Sequence, residues 1–467
     1  MNGHIASGIR IGAAALAALS IAFGSPAGAA QLRVTNDGTD SPTCGAQSTP
    51  CRSIGQAIVN AVDGDTIEVG AGFYGDISGS ADFSGPGDEH PQMTGIDDYP
   101  GCIVCITKAL QIYSLHGAAV TVIAAPAASA YPATVMILHD GVSFGREGGG
   151  FTLTGGNANG LVLDQDASRA ARTDFGIPLK HDIAVAGNID VGDGSGFVFK
   201  GLNFMDDPCP DPSCQPTAKI LFAANQALNN GGSGFNLQID AYHGGQITLQ
   251  DNLATGGGTG FLVATGEQNE AGNAISAGSV QLTGNVAVHN GLGFSADAPG
   301  PMLANTAVNN QQAGFLVVPG SLFQGNSAIG NAGPGAIVQF SVDGQDTAPL
   351  SHFQSFERNN FYGNDRNRPV LALAAANYPG VPAPYDPGPS AHCGVLNLGA
   401  LAVAVGPVAG GTPPVIQLAA TGNYWGSPSG PRPQGSGDTV GGACDQNGGV
   451  TVAKPFAKAA LAITSWP

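Results

Sequence analysis

Apolar and polar residues alternate along much of this chain in short runs that stop at asparagine or glycine, as in Ile247-Thr-Leu249 and Val280-Gln-Leu282. Period-two alternation predicts half-buried strands, and the Asn/Gly punctuation predicts tight turns between them. No helical 3.6-residue period runs through these segments. The runs belong to a repeated phrase, of which Gly284–Phe294 (GNVAVHNGLGF) is one copy. Aligned on their first asparagine, copies begin at Asn225, Asn252, Asn285, Asn305 and Asn326. Two residues on stands Ala227, Ala254, Ala287, Ala307 or Ala328, and three residues before stands Phe222, Leu249, Leu282, Met302 or Phe323. A second asparagine follows at Asn230, Asn290, Asn310 and Asn331, with Gly257 breaking the column. Phe235, Phe261, Phe294 and Phe315 close the copies, and Ala336 closes the last. Looser copies start at Asn188, reaching Phe197, and at Asn359, between Phe356 and Asn364.

The first asparagines are separated by 27, 33, 20 and 21 residues. A unit of about 21 residues with short strands and tight turns makes one coil of a parallel β-helix, with coils about 4.8 Å apart. An antiparallel sandwich also uses short strands, but it does not account for aligned columns. A propeller needs repeats of about 40 residues or more. Each column then has a physical meaning. Phenylalanines stack inside the tube, each contributing about 1.5–3 kcal/mol by burial. Alanine sits where the wall bends. The asparagines form ladders, as side-chain amides do in cross-β stacks, and they also tolerate left-handed turns. An ionised residue in such a column would face its own sign in the next copy, whereas amides and rings attract theirs.

Composition sharpens this picture. With 72 Gly and 32 Pro in 467 residues the chain approaches disordered compositions, but 43% hydrophobic content predicts that the glycine serves turns in a packed chain. A net charge of −18 argues against nucleic acid as a partner. Arg10, the apolar run Ile11–Phe23 and the small-residue site Ala27-Gly28-Ala29 predict an export signal over residues 1–29. No later stretch is a membrane span; Leu398–Ala409 comes nearest and is broken by glycine and proline. An exported chain with eight cysteines predicts disulfides. Local spacing nominates Cys44–Cys51, Cys102–Cys105 and Cys209–Cys214, which leaves Cys393 and Cys444 to close a C-terminal loop.

Three segments carry a resemblance to a known family. Cys51–Gly75 (CRSIGQAIVNAVDGDTIEVGAGFYG) resembles its opening: an amphipathic capping helix, a GDT turn and a first strand. The asparagine-rich coils resemble its middle, and Asn423–Pro431 (NYWGSPSGP) resembles its C-terminal signature. The family is that of the bacterial right-handed parallel β-helix repeat proteins, with the pectate-lyase-like superfold. The resemblance implies an all-β, single-stranded right-handed parallel β-helix with an N-terminal helical cap and a disulfide-closed C-terminal cap. The implied organisation is cap and first coil over 30–75, coils with insertions over 76–420, and the closing motif and cap over 421–467. The fold hosts lyases, hydrolases, esterases, adhesins and accessory proteins, so it does not choose a function. Enzyme signatures of related families are missing. Gly196–Gly201 (GFVFKG) lacks the aspartate of an esterase site, and Arg366-Asn-Arg368-Pro369 only superficially echoes a pectate-lyase motif.

The candidate chemistry lies in insertions. No lysine or arginine occurs between Lys219 and Arg358, so the regular coils cannot supply the base and charge neutralisation of a lyase. The excess over a 21-residue coil follows the phenylalanine strand in successive copies, which predicts a wall along one corner of the tube. The segment Asp164–Asp182 carries Arg169, Arg172, Lys180, His181 and Asp182, the candidate catalytic set. Asp206, Asp207, Tyr242, His243, Glu267 and Glu270 are candidate binding residues on the same wall. His289 reads as a turn residue, Trp425 as packing at the last coil, and Asp190–Gly196 (DVGDGSG) as a glycine turn without the acidic spacing of a calcium loop. Neither a metal nor a cofactor is expected. The leading reading is an exported monomer, secreted, periplasmic or at the cell surface, that binds a polysaccharide, cell-surface glycan or partner. A polysaccharide lyase or glycoside hydrolase is the alternative. A periplasmic accessory protein for a metalloenzyme is weaker, since only 5 Met and scattered His are present.

Overall fold

The computed structural model describes residues 29–75, 88–89, 92–93, 101–126, 133–155, 159–164, 182–200, 219–238, 246–264, 279–296, 300–318, 322–342, 353–366, 391–402, 415–446 and 448–462. Among these, the strands fall into three long sheets of 11, 10 and 11 strands and a separate pair, Ile416–Ala419 with Gly449–Val452. The first runs from Gln31–Val34 to Ser355–Glu357, the second from Gly72–Gly75 to Asn360–Tyr362, and the third from Gln92–Met93 to Val395–Ala402. Each coil contributes one strand to each sheet, and the pairings are parallel. The exception is the edge strand Gln92–Met93, which runs antiparallel to Gly101–Ile106. The chain is a parallel β-helix.

The aligned columns are the registers of these sheets. Phe235 pairs with Phe261, Phe261 with Phe294, and Phe294 with Phe315. Their rings stack face to face with centroids 4.8, 4.7 and 4.8 Å apart, one coil rise each. The stack begins at Phe197. It ends where Ala336 takes the column, and there Phe315 turns to an edge contact with Phe323 at 5.2 Å. The alanine column lies in the second sheet, in the middle of three-residue strands such as Gln226–Leu228 and Val286–Val288. Space there is short because third-sheet backbone crowds it. A methyl placed on Gly260 would come within 2.9 Å of the Ala287 methyl and 2.6 Å of the Gly293 carbonyl.

Both asparagine columns are ladders. Asn285 donates its backbone N–H and its Nδ2 to Asn305 Oδ1, each at 3.0 Å, and Nδ2 also reaches the Leu249 carbonyl at 2.9 Å. The same pattern runs from Asn188 to Asn359 and ends on Asn423, the first residue of the NYWGSPSGP motif. The second ladder passes through Asn290, Asn310, Asn331 and Asn364 to the carboxylate of Asp438. Left-handed backbone falls on the residue before each ladder asparagine, not on the asparagine. Ala224, Asp251 and Ala304 have φ of 52°, 54° and 56°, and Asn229, His289 and Asn309 have 56°, 56° and 51°. This corrects the expectation that the ladder amides themselves take that geometry. A ladder residue must hold its side chain inside the wall, so the preceding residue makes the turn. His289 is therefore a turn residue.

The ends are closed by different means. The helix Ile54–Asn60 covers the N-terminal end, with Ser53 accepting from the Gln56 N–H at 3.1 Å and buried Glu89 accepting from Ile54 and Gly55 at 2.7 and 2.8 Å. Lys108 Nζ donates to the carbonyls of Ile58 and Val59 at the helix C-terminus, where a cation also suits the helix dipole. At the other end buried Trp425 stacks on Phe361 at 5.2 Å, so it packs against the last coil. The described cysteines pair as Cys44–Cys51, Cys102–Cys105 and Cys393–Cys444. Cys209 and Cys214 lie outside the described residues. No helix among the described residues is long and apolar enough to cross a membrane.

Candidate functional site

The third sheet's strands end at Asp164, Lys200, Gln238 and Ala264, and these four residues are successive partners in register. From each the chain departs into a connecting segment, 165–181, 201–218, 239–245 and 265–278, of 17, 18, 7 and 14 residues. It returns to first-sheet strands that are again neighbours, beginning at Ile183, Lys219, Gln246 and Ser279. Both feet of every such segment therefore stand on one longitudinal edge of the tube. Farther along, Ala296 connects to the strand Met302–Leu303 through five residues and Val317 to Leu322–Gln324 through four.

Asp182 is the one candidate catalytic residue within the described set. It is exposed and immediately precedes the strand Ile183–Ala186 on this edge. Arg169, Arg172, Lys180 and His181 lie outside the described residues, as do Asp206, Asp207, Tyr242, His243, Glu267 and Glu270. Beside the edge, the outward rows of the first sheet carry amides and hydroxyls. Thr248 pairs with Gln281 and Gln250 with Thr283, and Gln281 Nε2 donates to Thr283 Oγ1 at 3.0 Å. Farther along, Gln324 Nε2 donates to Ser355 Oγ at 2.8 Å and to Glu357 Oε1 at 3.3 Å.

The N-terminal end of the same face holds a charged row that sequence reasoning missed. Arg33, Glu68 and Tyr113 share one register. Arg33 pairs with Glu68 at 3.3 Å, the Tyr113 hydroxyl donates to Glu68 Oε1 at 2.7 Å, and the Arg146 guanidinium lies 3.5 Å above the Tyr113 ring. Burial, then the Glu68 hydrogen bond and charge, raise the Tyr113 pKa, and Arg146 only partly opposes them. A phenol held protonated donates hydrogen bonds and does not serve as a base near neutral pH. The only signal in the sequence was the register itself, and these rungs lack the asparagine phrase that reveals register elsewhere.

Asp40, Cys44 and Cys51 have ligand-type atoms close enough to suggest a metal. Both sulfurs are spent in a disulfide, and Asp40 accepts from the Arg52 and Ser53 N–H groups and the Arg52 side chain. The trio is structural. In comparisons with known proteins, no family model, no curated protein and no solved structure matches this chain.

Proposed function

We propose that this chain is an exported β-helix protein that binds glycan along its insertion-bearing edge, in a pectate-lyase-like fold. One observation carries the reading: the segments after Asp164, Lys200, Gln238 and Ala264, three of them 14 residues or longer, leave from, and return to, adjacent rungs on a single edge. The first-sheet face lies beside that edge. That face supplies the neutral donors and acceptors of Thr248, Gln250, Gln281 and Thr283, which suit sugar hydroxyls. Disulfides fit an oxidising compartment. The net charge of −18 disfavours polyanionic partners. A lyase or hydrolase is the second reading, because Asp182 stands exposed on this edge at the foot of the segment that holds Arg169, Arg172, Lys180 and His181.

The test incubates the mature protein with a panel of neutral and acidic polysaccharides. Saturable binding is followed together with unsaturated-product absorbance and reducing ends. Binding without turnover is the expected result. Turnover that disappears in Arg172→Ala or His181→Ala establishes the enzyme instead, and neither binding nor turnover refutes both readings.

A further inference from the structure

The outer face of the second sheet changes character toward its C-terminal end. In three-residue strands such as Thr306–Val308 and Ser327–Ile329 the middle alanine is in the core, so the flanking residues point out of the tube. One outward column reads Leu253, Val286, Thr306, Ser327 and Asn360 in register, and the other reads Thr255, Val288, Val308, Ile329 and Tyr362. No carboxylate, amine, guanidinium or imidazole stands in either. Leu253 and Val286 are partly exposed, as outward residues should be. Thr306, Ser327 and Asn360 are instead buried, at 5%, 2% and 1% exposure. Something lies over these three rungs.

The chain brings its own C-terminal end to this place. Gly449–Val452 pairs with Ile416–Ala419, Phe456 packs on the core, and the Ala457 N–H donates to the Asn423 carbonyl at 2.9 Å. The chain then reaches the outer surface. There the Leu461 N–H donates to Asn360 Oδ1 at 2.9 Å, and the Leu461 carbonyl accepts from Asn360 Nδ2 at 3.3 Å. One side-chain amide thus meets both backbone groups of one residue, as a neighbouring strand would. Asn360 Nδ2 also donates to Ser327 Oγ at 3.0 Å, so the polar row continues along the sheet from the point where the backbone lands. Beyond Lys458 the sequence AALAITSWP has no ionisable side chain, which suits a face without charges.

We propose that the segment from Leu461 onward is an intramolecular strap, docked along the outer second sheet over Ser327 and Thr306. Residues 463–467 lie outside the described ones. The six residues after Leu461 reach about 20 Å when extended, or about four coils at 4.8 Å each. From Asn360 that path crosses the two other covered rungs and ends where Val286 and Leu253 regain exposure. The Ser327 and Thr306 hydroxyls suit extended backbone, and Val308 and Ile329 beside them suit Ile463 and Trp466. The strap fastens the C-terminal cap to coils one and two rungs earlier. It also covers part of a charge-free face that would otherwise lie open to a second copy of the chain. This claim is independent of glycan binding.

The chain has two tryptophans, Trp425 and Trp466, and Trp425 is fully buried, so acrylamide quenching of the full-length protein reports on Trp466. In the wild type both are expected to resist quenching. Asn360→Ala removes the anchor, and Ser327→Arg fills the strap's path while sparing the anchor. Both positions face outward, so the core is untouched. Each variant is expected to show a readily quenched population, equal to the emission lost on truncation after Lys458. Amide exchange in the peptide 458–467 should be at least about tenfold slower in the wild type than in either variant. A freely quenched Trp466 in the wild type, or shielding that neither variant relieves, overturns the proposal. Shielding that disappears on dilution, together with a dimer mass, assigns the face to a second copy and overturns it equally.

Discussion

Asn285 shows what the ladders do at the scale of one residue. Its Oδ1 accepts from Asn252 N and Nδ2 at 3.1 and 3.0 Å while its own Nδ2 donates onward, so no polar atom of the amide is left over. Asn285→Asp removes two donated bonds and buries a charge. It is expected to destabilise by about 3–5 kcal/mol at neutral pH and by less at pH 4, where protonation relieves the charge. Denaturant titrations at the two pH values measure this. Glu89 is a natural counterpart. Burial raises its pKa from 4.5 to about 8, against the pull of the Gly55 and Ile54 N–H groups. The folded chain then holds a proton that the unfolded chain releases, so this contribution is full below about pH 4.5 and is lost as pH rises to about 8. Chemical denaturation midpoints should fall across that window in the wild type and stay flatter in Glu89→Gln. At this scale the sequence is readable where a residue recurs. The ladder amides were visible as columns, and so was His289 as a turn. Asp190 and Asp193 were not, because a column's meaning comes from its repeats and these two break the repeat.

At the scale of elements, the stack from Phe197 to Phe315 unites strands that are distant in sequence. Phe261→Ala removes a ring sandwiched between two others at 4.8 and 4.7 Å. A loss of about 3–5 kcal/mol is expected, measured by denaturant titration. The insertions should behave oppositely. Replacing 265–278 with a link like that between Ala296 and Met302 leaves the paired rungs Leu249–Leu282 and Phe261–Phe294 intact. Stability is expected to change by only about 1 kcal/mol, since shortening a loop alters closure entropy little, while glycan affinity drops. Binding isotherms and melting curves separate the two effects. The edge was legible from repeat length alone, because extra residues after one column must leave at one corner. The Arg33–Glu68–Tyr113 row was not, because its rungs share no repeated residue that would set their register.

For the whole molecule, one rule explains both fold and composition: chemically equivalent positions lie one coil rise apart. Rings and amides gain from that spacing and like charges lose, which keeps most ionisable residues out of the columns; Asp190, in register with Ala227, is an exception. The closing motif obeys the same rule, since Asn423 ends the first ladder and Trp425 ends the inner stack on Phe361. Resemblance recognised that motif in the sequence, but only register shows why its Asn and Trp are spaced as they are. The most direct test is a set of spin-label distances along the outer second sheet, where Val191, Leu228, Thr255 and Ile329 occupy one outward column. With one label at Ile329, partners at Thr255, Leu228 and Val191 lie three, four and five coils away, which predicts backbone spacings of about 14, 19 and 24 Å at 4.8 Å per coil. A near-constant increment per coil, despite sequence steps of 27 and 37 residues between these partners, is the predicted result. Distances that track sequence separation, or that do not lengthen from Thr255 to Val191, would contradict the stacked-coil account.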